Sequence, residues 1–66
     1  MNAQLHIEVA GKKFPATKEQ LSAFQKMSER MGVPKKMSLL LAGQGCIMFE
    51  YDHITIGIET DGYTHS

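Results

Sequence analysis

Cys46, Glu50, Asp52, His53, Glu59 and Asp61 crowd into one stretch, CIMFEYDHITIGIETDG, residues 46–62. A cysteine beside a histidine can act as a nucleophile, and mixed sets of Cys, His and carboxylates hold metals. Neither chemistry is signalled by spacing here. No basic cluster or helix start flanks Cys46 to lower its thiol pKa, so a structural thiol is expected. His6, His53 and His65 are scattered, and no Cys/His pair stands at zinc-ligand spacing. Glu50 and Asp52 share a strand parity but have no acid-base partner in sequence. GQG is too short for a phosphate loop. The expectation is no catalytic residue, no metal and no cofactor; an enzyme would require an oligomer that builds its site between subunits.

The same stretch reads well as a hairpin. With Asp52-His53 as a two-residue turn, Tyr51 faces Ile54, Phe49 faces Ile56 and Ile47 faces Ile58, which puts all six apolar residues on one face. Asp and His tolerate the positive φ of a type I′ turn. The other face then carries Cys46, Met48, Glu50, Thr55, Gly57 and Glu59. Met48, set apart from the core by parity and adjacent to Cys46, marks an apolar contact patch on that face.

Upstream, LHIEV alternates strictly, with Leu5, Ile7 and Val9 on one face and His6 and Glu8 on the other. A turn at Gly11-Lys12 sets Val9 opposite Phe14, and a turn one residue earlier sets Ile7 opposite Phe14; Pro15 is expected to end the pairing. TKEQ, starting at Thr17, is a capping box, and Leu21, Phe24, Met27, Ser28 and Met31 follow at helical spacing before Gly32. This predicts a helix over 18–31. Pro34 and the MSLLLA run suit either a short helix or a buried strand, and a helix over 34–42 is favoured. DGYTHS is expected to fray.

The elements sum to one domain, 1–66, of α+β class. It is a small two-layer β-β-α-(α)-β-β arrangement, an antiparallel sheet of about four strands with one or two helices on one face. A chain of 66 residues lies near the lower limit for unaided folding, and one cysteine closes no intrachain disulfide. Self-association, most simply as a homodimer, is the expected reinforcement. No apolar run approaches the roughly 20 residues of a membrane helix. A soluble, cytoplasmic protein is expected, with no membrane partner.

Net charge is zero, yet all seven basic residues fall between Lys12 and Lys36 in company with only Glu19 and Glu29, so that segment carries +5. Lys18, Lys26, Arg30, Lys35 and Lys36 could follow a phosphate backbone, although the aromatics that stack single-stranded bases are missing. His6, Glu8, Glu50 and Glu59, with Cys46 and Met48, form an acidic sheet face suited to a basic protein surface. The leading expectation is a non-enzymatic protein-interaction domain, an adaptor, regulator or inhibitor of the phage or plasmid type that covers a partner's surface. A nucleic-acid-binding module using the basic helix layer is the alternative, and an oligomeric enzyme the third.

Overall fold

A computed structural model describes residues 3–40 and 45–66. The chain runs β1 (Leu5–Val9), β2 (Lys12–Ala16), α1 (Lys18–Met31), β3 (Lys36–Leu39), β4 (Ile47–Glu50), β5 (Thr55–Ile58) and β6 (Thr64–His65). It is a small two-layer α+β domain: an antiparallel sheet in the order β3-β4-β5-β6 with one packed helix, while β1 and β2 form a separate two-stranded ribbon.

Ala10 and Gly11 make the first turn, both at positive φ (52° and 82°), as a type I′ hairpin turn requires. Ile7 therefore faces Phe14, the earlier of the two registers open to the sequence. Pro15 does not end the ladder, which continues to Leu5 opposite Ala16. Counting from the turn, Pro15 and His6 form a non-hydrogen-bonded pair, so the missing proline N–H would have pointed away from β1.

Thr17 caps α1. Its hydroxyl accepts the Gln20 N–H at 3.1 Å, and its own N–H donates to Gln20 Oε1 at 3.0 Å. Both halves of the capping box are present. Gly32 closes the helix with its N–H on the Ser28 carbonyl at 2.9 Å, at φ 80° but with an extended ψ of −178° rather than the left-handed helical value. Buried Met27 faces inward. Phe24 meets Phe49 with ring centroids 5.1 Å apart.

The favoured helix over 34–42 is not formed. Residues Lys36–Leu39 are a strand paired with β4, Met37 opposite Phe49 and Ser38 opposite Met48. Met37 is buried between exposed Lys36 and Ser38, and Leu39 at the end of the strand, opposite Ile47, is exposed. Without β3, β4 would be the edge of the sheet, and satisfying its backbone groups outweighs the helical start offered by Pro34. Residues 41–42 of that expectation lie outside the described residues.

The β4–β5 hairpin has the register its pattern implies: Ile47 faces Ile58, Phe49 faces Ile56, and Tyr51 donates its N–H to the Ile54 carbonyl at 2.8 Å. The turn differs. Neither Asp52 nor His53 has positive φ, so it is not type I′. Burial tapers toward it: Ile47, Phe49 and Ile58 are fully enclosed, Ile56 and Tyr51 are half-buried, and Ile54 is 41% exposed. One core joins Ile7, Val9 and Ala16 of the ribbon and Met27 of the helix to Met37, Ile47, Phe49 and Ile58 of the sheet.

The C-terminal residues do not fray. Asp61 Oδ1 accepts the Tyr63 N–H at 3.0 Å, Gly62 donates to the Glu59 carbonyl and Glu59 to that of Tyr63, each at 2.8 Å. This turn returns β6 along β5 with His65 opposite Gly57.

Candidate functional site

Strand parity builds the outer sheet face. Met48 and Glu50 alternate with the buried Ile47 and Phe49, and Gly57 lies opposite Met48 on one side and opposite His65 on the other. A Cβ at Gly57 would lie 2.8 Å from His65 Cε1 and 2.9 Å from Met48 Sδ. The bare Cα is what lets an imidazole and a thioether lie across the middle of the sheet. Beneath them sits Cys46, fully buried, its Sγ 3.8 Å from Met48 Sδ and 3.9 Å from His65 Nε2. His65 Nε2 is also 2.8 Å from Glu59 Oε2. The donor atoms of Cys46, Glu59 and His65 all lie within 4.8 Å of one another.

Burial pushes the Cys46 thiol pKa up, and the neighbouring Glu59 carboxylate pushes it further, through its charge and a side-chain hydrogen bond. The cluster is not wired as a catalytic relay. In a Cys-His-carboxylate relay the thiol and the carboxylate address opposite ring nitrogens. Here both converge on Nε2 of His65, and the thiol is enclosed.

A polar strut holds this site from below. Gln20 is 1% exposed, and its Nε2 donates to the Gly45 carbonyl at 2.7 Å and the Ile58 carbonyl at 3.0 Å. Those two residues immediately precede Cys46 and Glu59. Thr17 Oγ1 adds a hydrogen bond to the Thr60 carbonyl. The helix start thus fixes the backbone on which two of the three donors stand.

Of the residues singled out from the sequence, Cys46, Met48 and Glu59 come together. Cys46 is enclosed rather than part of an exposed patch, and Met48 is half-buried. Glu50 shares their face but lies two residues toward the turn, opposite Lys36 and Thr55. His6 and Glu8 are on the ribbon, opposite Pro15 and Lys13, and do not belong to this sheet. His65 was the residue missed, and the alternation of Tyr63, Thr64 and His65 after an Asp-Gly turn was the signal for it.

The basic residues divide. Lys18, Lys26 and Arg30 line one groove of about 510 Å³, floored by Met27 and Ile56 and bordered by Asp61. Lys35 is 3.4 Å from Asp52, and Lys36 lies across the ladder from Glu50. The five cations form no single track.

A third surface is the end of the sheet. β3 has no strand on its outer side among the described residues. Exposed apolar residues stand before it, at its end and after it: Val33 at 72%, Leu39 at 46% and Leu40 at 42%. No helix among the described residues is long and apolar enough to cross a membrane. No protein-family model, curated protein or solved structure matches the chain, so its role is read from the chemistry of these three surfaces.

Proposed function

We propose that the chain is a non-enzymatic protein-interaction domain that takes up an extended segment of a partner protein along β3. The observation carrying this reading is the open β3 edge flanked by exposed Val33, Leu39 and Leu40. Leu40 donates its N–H to the Cys46 carbonyl at 3.1 Å. Alternation in an antiparallel ladder then points the Ser38 backbone groups toward β4 and those of Met37 and Leu39 outward. An added strand gains main-chain hydrogen bonds there and covers the leucines, which is the physics of strand addition. Lys35 and Lys36 at the start of β3 are matched by Asp52 and Glu50, so the partner segment is recognised by apolar side chains set against Val33, Leu39 and Leu40. A second copy could use the same edge, giving a two-fold homodimer with β3 antiparallel to β3. A reducing, cytoplasmic setting suits the free thiol of Cys46.

A nucleic-acid contact is the second reading, favoured by the convergence of Lys18, Lys26 and Arg30 on one groove. Selection of phage-displayed random peptides on the parent protein and on a Leu39→Asp/Leu40→Asp variant separates the two. Enrichment of peptides with apolar residues at alternate positions that bind the parent and not the variant is the expected result. No enrichment, or equal binding to both, together with salt-sensitive oligonucleotide binding lost in Lys26→Glu/Arg30→Glu, would replace the first reading with the second. Light scattering over a dilution series reports whether the β3 edge also pairs with itself.

A further inference from the structure

We propose that Cys46, Glu59 and His65 form a three-ligand zinc(II) site on the outer sheet face, with Met48 walling one side and water taking the fourth position. Three strand ends deliver the donors to one point: the residue before β4, the residue after β5, and β6. Their atoms, Sγ, a carboxylate oxygen and Nε2, lie within 4.8 Å of one another. In tetrahedral zinc, bond lengths of about 2.0–2.3 Å place ligand atoms about 3.3–3.6 Å apart. The Cys46–His65 separation of 3.9 Å must close by a few tenths of an ångström, the His65–Glu59 separation of 2.8 Å must open by about half an ångström, and Cys46 and Glu59, the widest pair at up to 4.8 Å, must close by up to about 1 Å. All three adjustments fall to His65 and Glu59, whose side chains are 35% and 41% exposed and have room to make them. That exposure is also the entry path for the ion.

The donor set selects the metal. One soft thiolate, one imidazole and one carboxylate match the borderline character of zinc, whereas copper(I) would recruit the Met48 thioether in preference to the carboxylate. Charge argues the same way. A thiolate beside Glu59 with no cation would be two anions at a half-dry site; with a divalent ion between them the cluster is neutral. On binding, the Cys46 S–H bond breaks, a Zn–S bond forms and the proton leaves to solvent. His65 keeps its remaining proton on Nδ1 and gives Nε2 to the metal. Gly57 supplies the space, since any side chain there would lift the imidazole off the thiol.

The test is a titration of the full chain with zinc sulfate against a chromophoric chelator, repeated with cobalt(II) to read the thiolate-to-metal charge-transfer band. One equivalent should bind, with release of about one proton per metal. Cys46→Ser and His65→Ala should each weaken binding by at least about 100-fold, the upper range for loss of a mere outer-shell partner. His6→Ala and His53→Ala should leave affinity unchanged. Glu59→Gln, at a partly exposed position, keeps the test meaningful if Cys46→Ser fails to fold. It should weaken zinc while circular dichroism shows the parent fold. No saturable one-to-one binding, or equal affinity for parent and His65→Ala, would overturn the site. Copper(I) binding lost in Met48→Leu and retained in Glu59→Gln would overturn its assignment to zinc.

Discussion

Replacing Gln20 by methionine removes three hydrogen bonds at nearly constant volume, and the cost follows from where each partner lies. The Ile58 carbonyl, reached at 3.0 Å, is buried, and leaving it unsatisfied costs about 1–3 kcal/mol. The bonds to the Gly45 carbonyl and from the Thr17 N–H are partly buried, so each contributes nearer the net value of about 1 kcal/mol. The total is about 3–5 kcal/mol, comparable to the whole stability of a domain this small. With a urea slope of about 1 kcal/mol per molar, the midpoint should fall by about 3 M or more, so Gln20→Met should be largely unfolded without denaturant. Gln20→Glu sharpens the test. It keeps an oxygen for Thr17 but sets a carboxylate oxygen against two carbonyls. That raises the folded-state pKa of the new carboxyl above its unfolded value of about 4.3. Stability linked to it is therefore present below about pH 4.3 and lost as pH rises through the folded pKa. Urea titrations followed by circular dichroism at pH 4 and pH 7 should show the gap between parent and Gln20→Glu narrowing on acidification. A loss below about 1 kcal/mol for Gln20→Met, or a gap for Gln20→Glu that ignores pH, would refute the strut.

Three further outcomes are expected. Cys46 holds its proton more tightly folded than unfolded, so with chelator present stability should be intact below the ordinary thiol pKa of about 8.5 and decline as pH rises through the raised folded value; Cys46→Ala should flatten that decline in a melting-temperature series up to pH 10. Ile58→Ala should cost about 2–5 kcal/mol by chemical denaturation and Ile54→Ala, 41% exposed, clearly less; equal costs would mean that the taper of the hairpin is wrong. Gly57→Ala should cost about 1–3 kcal/mol and shift the His65 ring resonances, because its methyl group would meet Cε1 at 2.8 Å; unchanged His65 shifts would show that the ring does not lie over Gly57.

What the sequence made legible is what short-range geometry settles. The Thr17-to-Gln20 capping box and the pairing of Ile47 with Ile58 each depend on residues joined by a few bonds or by one turn, and both are present. The MSLLLA run was ambiguous because apolar residues in succession satisfy either period; only a neighbouring β4 in need of a ladder decides it, and that is a tertiary fact. The candidate site was hidden for a related reason. Cys46 and Glu59 were assigned to the correct face, but their third partner stands on a two-residue strand whose existence depends on the Asp61 turn and on docking against β5. Gly57, an unremarkable residue in the pattern TIGI, proves to be the cavity into which His65 and Met48 settle, a role no periodicity encodes. Gln20 was legible as half of a capping box and not as a strut, because its two outer hydrogen bonds reach residues 45 and 58 only once the sheet has formed. One side chain therefore ties the most local signal in the chain to its least local feature, which is why perturbing it tests both at once.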